Sequence, residues 1–141
     1  MAWFKEWFNT PYYHILYKNR SFVEAQNFIS LLVENLALPK NSKIIDLACG
    51  KGRHSVYLNQ LGFNVLGLDL SEENIAHNKI QENETLRFAV HDMRKPILGE
   101  SANAVFNLFT SFGYFDEVEE DKMVFSSVHS VLQKGGFFVL D

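Results

Sequence analysis

From Lys43 onward the chain alternates short apolar runs with segments of helical periodicity, and this constrains its fold more than any other feature. Residues 43–48 form a short apolar run that suits a strand buried on both faces. Residues 53–61 read as a helix closed by Gly62, and 63–68 as a second strand. Ser71 is placed to cap a helix whose first turn carries Glu72 and Glu73, well disposed toward the helix dipole. Residues 86–90 and 104–109 supply a third and a fourth strand, 118–132 another helix, and 136–141 a fifth strand. Strands separated by helices of this length imply a parallel sheet with right-handed crossovers. The expected fold class is therefore α/β, a doubly wound and mostly parallel sheet.

An aromatic-rich segment precedes this core, with Trp3, Phe4, Trp7, Phe8, Tyr12, Tyr13 and Tyr17. Trp3, Trp7 and Phe8 are spaced for a short amphipathic helix, which Thr10-Pro11 would end. Ser21 and Glu24 have capping-box spacing. Phe22, Ala25, Ile29, Leu32, Val33 and Leu36 then recur at helical intervals until Pro39-Lys40-Asn41-Ser42. Residues 1–40 are thus expected to form an N-terminal helical segment, and 41–141 the core of the same single domain. The fifth strand is the exception to the pattern. With no helix or strand after Phe137-Phe138-Val139-Leu140, its edge would stand open, so the core is expected to be C-terminally incomplete. Pairing with a second copy, as a homodimer through that edge, is the assembly such an edge invites.

Composition excludes several classes. A chain of 141 residues, 47% hydrophobic and 21% charged, fits one soluble globular domain. Its net charge of −4 argues against a broad basic face, so no nucleic-acid partner is expected. Cys49 is the only cysteine, which rules out a disulfide framework or a zinc site of paired cysteines. The histidines show no His-x-x-x-His spacing, and no metal is expected. No secretory signal or bilayer-length apolar stretch is present in the sequence, so no membrane partner is expected and a cytoplasmic setting is the default.

The most informative segment is Asp46-Leu47-Ala48-Cys49-Gly50-Lys51-Gly52-Arg53, which follows a strand and opens a helix. Glycines there let the backbone turn sharply and a ligand come close, at the end of the sheet where open α/β folds bind ligands. Asp69, at the end of the second strand and nineteen positions after Gly50, can accept hydrogen bonds from the two ribose hydroxyls of a nucleoside. Two nucleoside ligands are consistent with this design. A dinucleotide such as NAD calls for a third glycine where this chain has Ser55, and Asp46 would oppose its pyrophosphate. The same carboxylate suits the ammonium and sulfonium of S-adenosylmethionine. Cys49 and His54 read most simply as packing residues, and the acidic run Asp116 to Asp121 as a solvated helix start.

With these motifs in order, the sequence resembles the class I, Rossmann-like S-adenosylmethionine-dependent methyltransferases, in feel the small bacterial enzymes that include tellurite-resistance types. The resemblance implies S-adenosylmethionine as cofactor and a small-molecule methyl acceptor. It implies that Asp46, Ala48, Gly50 and Gly52 wrap the methionine part, that Asp69 with Leu70 holds the ribose, and that Asp92 and Met93 meet the adenine. Phe109, in the stretch from Asn107 to Phe112, would line the methionine and acceptor side. Tyr17 and Arg20 would belong to a lid together with Tyr12 and Tyr13, and Ser111, Tyr114 and His14 are the nearest general-base candidates. Two alternatives stand beside methyl transfer. One is a cofactor-binding module without turnover, assembling through the open edge; the other is an NAD-dependent oxidoreductase.

Overall fold

The structure is a computed structural model that describes residues 12–14, 22–108 and 118–140. In chain order the elements are β1 (Tyr12–His14), α1 (Phe22–Asn35), β2 (Lys43–Leu47), α2 (Arg53–Gln60), β3 (Asn64–Asp69), α3 (Glu72–Asn78), β4 (Leu86–Val90), β5 (Ala102–Asn107), α4 (Val118–Val131) and β6 (Leu132–Leu140). A single turn of 3₁₀ helix, Lys79–Gln81, follows α3. The strands form one sheet in the order β1-β6-β5-β2-β3-β4, and every neighbouring pair is parallel.

Successive strand side chains point to opposite faces, and both faces are apolar. Ile45, Leu47, Leu66, Leu68, Val105 and Phe138 pack on one face against Val124, Phe125 and Val128 of α4. Ile44, Val65, Ala104, Phe106 and Val139 pack on the other against Ile29 and Leu32 of α1, Leu58 of α2 and Ile75 of α3. Helices thus cover both faces, as a doubly wound sheet requires. Phe125 and Phe138 meet edge to face with ring centroids 5.3 Å apart.

Three expectations change. Residues 1–40 were expected to be a helical segment, yet Tyr12–His14 is a strand, paired in register with Phe138, Val139 and Leu140; the short helix expected at Trp3, Trp7 and Phe8 lies outside the described residues. The edge of the fifth core strand (β6) is therefore not open over those residues, which removes the premise of dimerisation through it. The reason is non-local: β6 offers unpaired backbone groups that a short β-prone segment satisfies. Third, β5 begins earlier than expected, at Ala102, and β6 begins at Leu132 directly after α4. Pairing shifts register between Ala102, opposite Leu132, and Ala104, opposite Phe137. Residues 132–136 absorb that shift as an irregularity, and the regular ladder starts near the expected position. Ser21 of the capping box lies outside the described residues.

The strand order places the site. From β2 the chain winds outward through β3 to β4, then returns to β5 on the opposite side of β2. The switch point lies at the carboxyl end of β2, beside β5, where open α/β sheets bind ligands.

Candidate cofactor site

The loop after β2 turns through a run of left-handed residues. Ala48, Gly50 and Gly52 have φ of 60°, 57° and 77°. Ala48 carries a Cβ in a region that disfavours one, a strain seen at functional loops. Backbone hydrogen bonds fix the path: Cys49 N–H donates to Leu68 O at 2.9 Å, and Gly52 N–H to Cys49 O at 3.0 Å. A Cβ at Gly50 would meet nothing within 4 Å, so this part of the loop faces open space that a ligand can enter.

Asp69 lies across that space. Its Oδ1 accepts the Gly50 N–H at 3.1 Å and its Oδ2 the Ser71 N–H at 3.0 Å. A carboxylate has about four acceptor positions, so each oxygen keeps capacity for a ligand hydroxyl. The two backbone donors fix the carboxylate before any ligand arrives. Ser71 also caps α3 as expected, its Oγ accepting the Asn74 N–H at 3.1 Å. Beside Asp69, Leu70 is 66% exposed and presents an apolar surface to solvent.

Asp46 stands next to last in β2, just before the loop. It is buried beneath the loop, and the Ser55 Oγ–H donates to its Oδ2 at 2.6 Å. Burial pushes its carboxyl up to about 6, with Ser55 pulling the other way and the Asp69 charge adding to the rise. Ser55 therefore has a reason to stand where a dinucleotide fold has glycine. The close helix–strand approach is provided from the strand instead. A Cβ on Gly67 would lie 2.6 Å from Phe88 Cδ1 and 2.9 Å from Ser55 Oγ.

Asp92 follows β4 and is held by Arg94: Nη2 to Oδ2 at 2.7 Å and Nε to Oδ1 at 3.0 Å. Arg94 also reaches Glu120 at 3.3 Å. The Arg94 hydrogen bonds hold the Asp92 carboxyl down at about 2, so it is an anion and an acceptor at neutral pH. Met93 packs partly buried against the α4-side core. Tyr17, Arg20 and Phe109 lie outside the described residues, as do the general-base candidates Ser111 and Tyr114; His14 falls in β1. Burial, with the charges of Asp46 and Asp69, pushes the Cys49 thiol far upward, so it stays protonated and is no nucleophile.

Two buried amides hold the loop from other elements; Asn107 opens the stretch the resemblance pointed to, and Asn78 was not anticipated. Asn107, at the end of β5, donates from Nδ2 to Leu47 O at 3.1 Å and ties β5 to the start of the loop. Asn78, the last residue of α3, donates from Nδ2 to Gly50 O at 2.8 Å. Asn78 has no spacing signal, because it reaches the loop from the end of α3. A groove along β4, lined by Leu66, Arg87, Phe88 and Glu100 among others, contains none of the expected cofactor residues. Among the described residues no cluster of His, Cys, Asp or Glu could hold a metal ion, and no helix is long and apolar enough to cross a membrane.

These features fit S-adenosylmethionine: a strand-end carboxylate fixed by two backbone donors, a glycine facing open space and a buried acid under the loop. Comparison with known proteins agrees. Residues 45–140 match a family described as a methyltransferase domain. The chain is 34% identical over 104 residues to dTDP-3-amino-3,4,6-trideoxy-alpha-D-glucopyranose N,N-dimethyltransferase of Streptomyces venezuelae, covering 73% of this chain and 43% of that protein. It is 31% identical over 127 residues to glycine/sarcosine N-methyltransferase of Aphanothece halophytica, covering 86% of this chain and 46% of that one. An S-adenosylmethionine-dependent methyltransferase of Clostridium acetobutylicum superposes with a TM-score of 0.73 at 23% identity, over 85% of this chain and 50% of that one, and so shares the fold. The chain spans about half the length of the curated relatives it matches. Nothing in these matches supports the oxidoreductase alternative. Glycine loop, strand-end acid and parallel sheet have a common explanation: the chain belongs to the Rossmann-like S-adenosylmethionine-dependent methyltransferases.

Proposed function

We propose that this chain holds S-adenosylmethionine between the 46–52 loop and Asp69, and that the protein transfers its methyl group to a small-molecule amine. The observation that carries the cofactor half is Asp69, whose oxygens are each fixed by one backbone N–H and each keep a free acceptor position beside Gly50. Leu70 is assigned with Asp69 to the ribose, Asp92 and Met93 to the adenine side, and Tyr17, Arg20 and Phe109 to the methionine and acceptor side. The amine follows from the relatives, which are named for N-methylation of an amino sugar and of glycine or sarcosine.

When bound, the cofactor supplies an electrophilic methyl group on a positively charged sulfur. What the chain contributes is position. Asp69 orients the nucleoside end, the left-handed turns at Gly50 and Gly52 let the backbone approach, and the buried Asp46 adds negative potential below a cationic ligand. Cys49, held as a neutral thiol, takes no part as a nucleophile.

Thermal unfolding with and without S-adenosylhomocysteine tests the cofactor. At a ligand concentration 100 times Kd, linkage gives about 2.7 kcal/mol of stabilisation, roughly 8–12 °C for a chain of this size. A shift with S-adenosylhomocysteine and none with NADH is expected. No shift with S-adenosylhomocysteine in a cooperatively melting protein would overturn the proposal.

A further inference from the structure

We infer that Asn78 is a positioning residue for the cofactor loop, locking Gly50 in the left-handed conformation that binding needs. This rests on the reading of that loop as the cofactor site. Gly50 is held on both sides, through two successive peptide groups and by different elements. Its N–H donates to Asp69 Oδ1 at 3.1 Å, and its carbonyl accepts from Asn78 Nδ2 at 2.8 Å. Asn78 is 1% exposed, and its Nδ2 also lies 4.0 Å from Cys49 Sγ. A Cβ on Gly52 would come within 3.1 Å of its Cγ, so the amide packs directly under the loop.

The amide is costly where it stands. Its Oδ1 is buried without a hydrogen-bond partner. A buried acceptor left unmatched destabilises the fold, and an apolar residue at the end of α3 would avoid that. Stability alone therefore does not account for the residue. What the amide provides is a donor to a carbonyl that has no partner in the regular sheet or helices, in a turn made of left-handed residues that prefer other conformations. Free of Asn78, the 50–51 peptide could turn, the left-handed conformation at Gly50 would no longer be held, and the preceding peptide that carries the Gly50 N–H could shift away from Asp69. The ribose acceptor would then lose one of its two fixed donors.

The test uses Asn78→Ala and Asn78→Asp, with two readouts. The first is hydrogen-exchange protection of the Gly50 amide in the ligand-free protein, with the Gly67 amide inside β3 as internal reference. The second is the Kd for S-adenosylhomocysteine by calorimetry. Asn78→Ala is expected to lower Gly50 protection at least tenfold while Gly67 holds, and to weaken binding at least tenfold. Asn78→Asp keeps the shape and withdraws the donor. Relative to the native chain at each pH, its Gly50 protection should recover as the pH is lowered and the carboxyl gains a proton to donate. Protection lost equally at Gly50 and Gly67 would reduce Asn78 to a structural residue and overturn the inference. So would an unchanged Gly50 amide, or a Kd within twofold of native despite lost protection. If the native chain fails to bind S-adenosylhomocysteine, the cofactor reading falls, and Gly50 protection still decides whether Asn78 holds the loop.

Discussion

Ser55 and Asp46 form a hydrogen-bonded pair, 2.6 Å apart, with both residues buried under the cofactor loop. The pair joins the first turn of α2 to the end of β2, so the helix that opens from the glycine turn is tied to the strand that leads into it. An acid in that position would be expensive alone, because burial disfavours its charged form. The hydroxyl compensates in part.

Ser55→Ala should therefore destabilise the protein by about 1–3 kcal/mol, the usual cost of leaving a buried polar group unmatched. The Asp46 carboxyl, held at about 6 with Ser55 present, should move higher without it. Urea unfolding gives the first quantity and a carbon-13 titration of the Asp46 carboxyl the second. A pKa that stayed put would show that the hydroxyl does not stabilise the anion.

Stability should also fall as the pH rises from about 4 to about 6. Burial raises the Asp46 carboxyl from 3.8 to about 6, so in that interval the folded chain keeps a proton that the unfolded chain releases. The stabilisation is complete at and below the lower value and lost above the upper one, an effect of about 3 kcal/mol at most. Asp92 acts in the opposite sense. Arg94 holds its carboxyl at about 2, so its contribution is present above pH 3.8 and lost as the pH falls toward 2. Denaturant melts across this range should show Asp46→Asn flattening the limb above about pH 4, and Asp92→Asn the limb below. An Asp46→Asn protein with the native slope above pH 4 would refute the assignment.

Much of this arrangement is legible in the sequence, for physical reasons that differ by residue. Residues such as Ile44 and Ile45 face opposite sides of the sheet and are both buried, so the strand reads as a continuous apolar run. The glycines at 50 and 52 mark a turn because left-handed backbone favours them. Asp69 is legible because a strand-end acid beside such a turn has few other uses. Asn78 is not legible, since a polar residue at the end of a polar helix carries no sign that it folds back onto a loop 28 residues earlier. Nor is β1, whose short β-prone sequence becomes a strand only because the edge of β6 is there to pair with it. The role of Ser55 was half legible: the missing glycine is visible, but its replacement by space at Gly67 appears only when helix and strand are packed.

Gly67→Ala tests that exchange. The new Cβ would stand 2.6 Å from Phe88 Cδ1, and Phe88 is itself 2% exposed, with no room to swing aside. A loss of about 1–3 kcal/mol is expected, as for other overpacked cores. Adding Phe88→Leu should recover part of it, so that the double variant is more stable than the sum of the two single changes predicts. Strict additivity in denaturant melts would show that the contact is relieved elsewhere.

Asp69→Ala bears most directly on the cofactor. The substitution would remove charge-assisted hydrogen bonds to ribose hydroxyls, together worth roughly 1.5–3 kcal/mol, so affinity should drop by about 10–150-fold. It also frees the N–H groups of Gly50 and Ser71, which lose their acceptor together. Calorimetry with S-adenosylhomocysteine measures the whole effect, and adenosine in place of the full ligand isolates the ribose contribution. If Asp69 holds the ribose, both ligands weaken by a similar factor, because both carry the two hydroxyls. If it serves only to shape the loop, adenosine binding changes little while S-adenosylhomocysteine binding falls. Unchanged affinity for both, in a folded variant, would remove Asp69 from the site altogether.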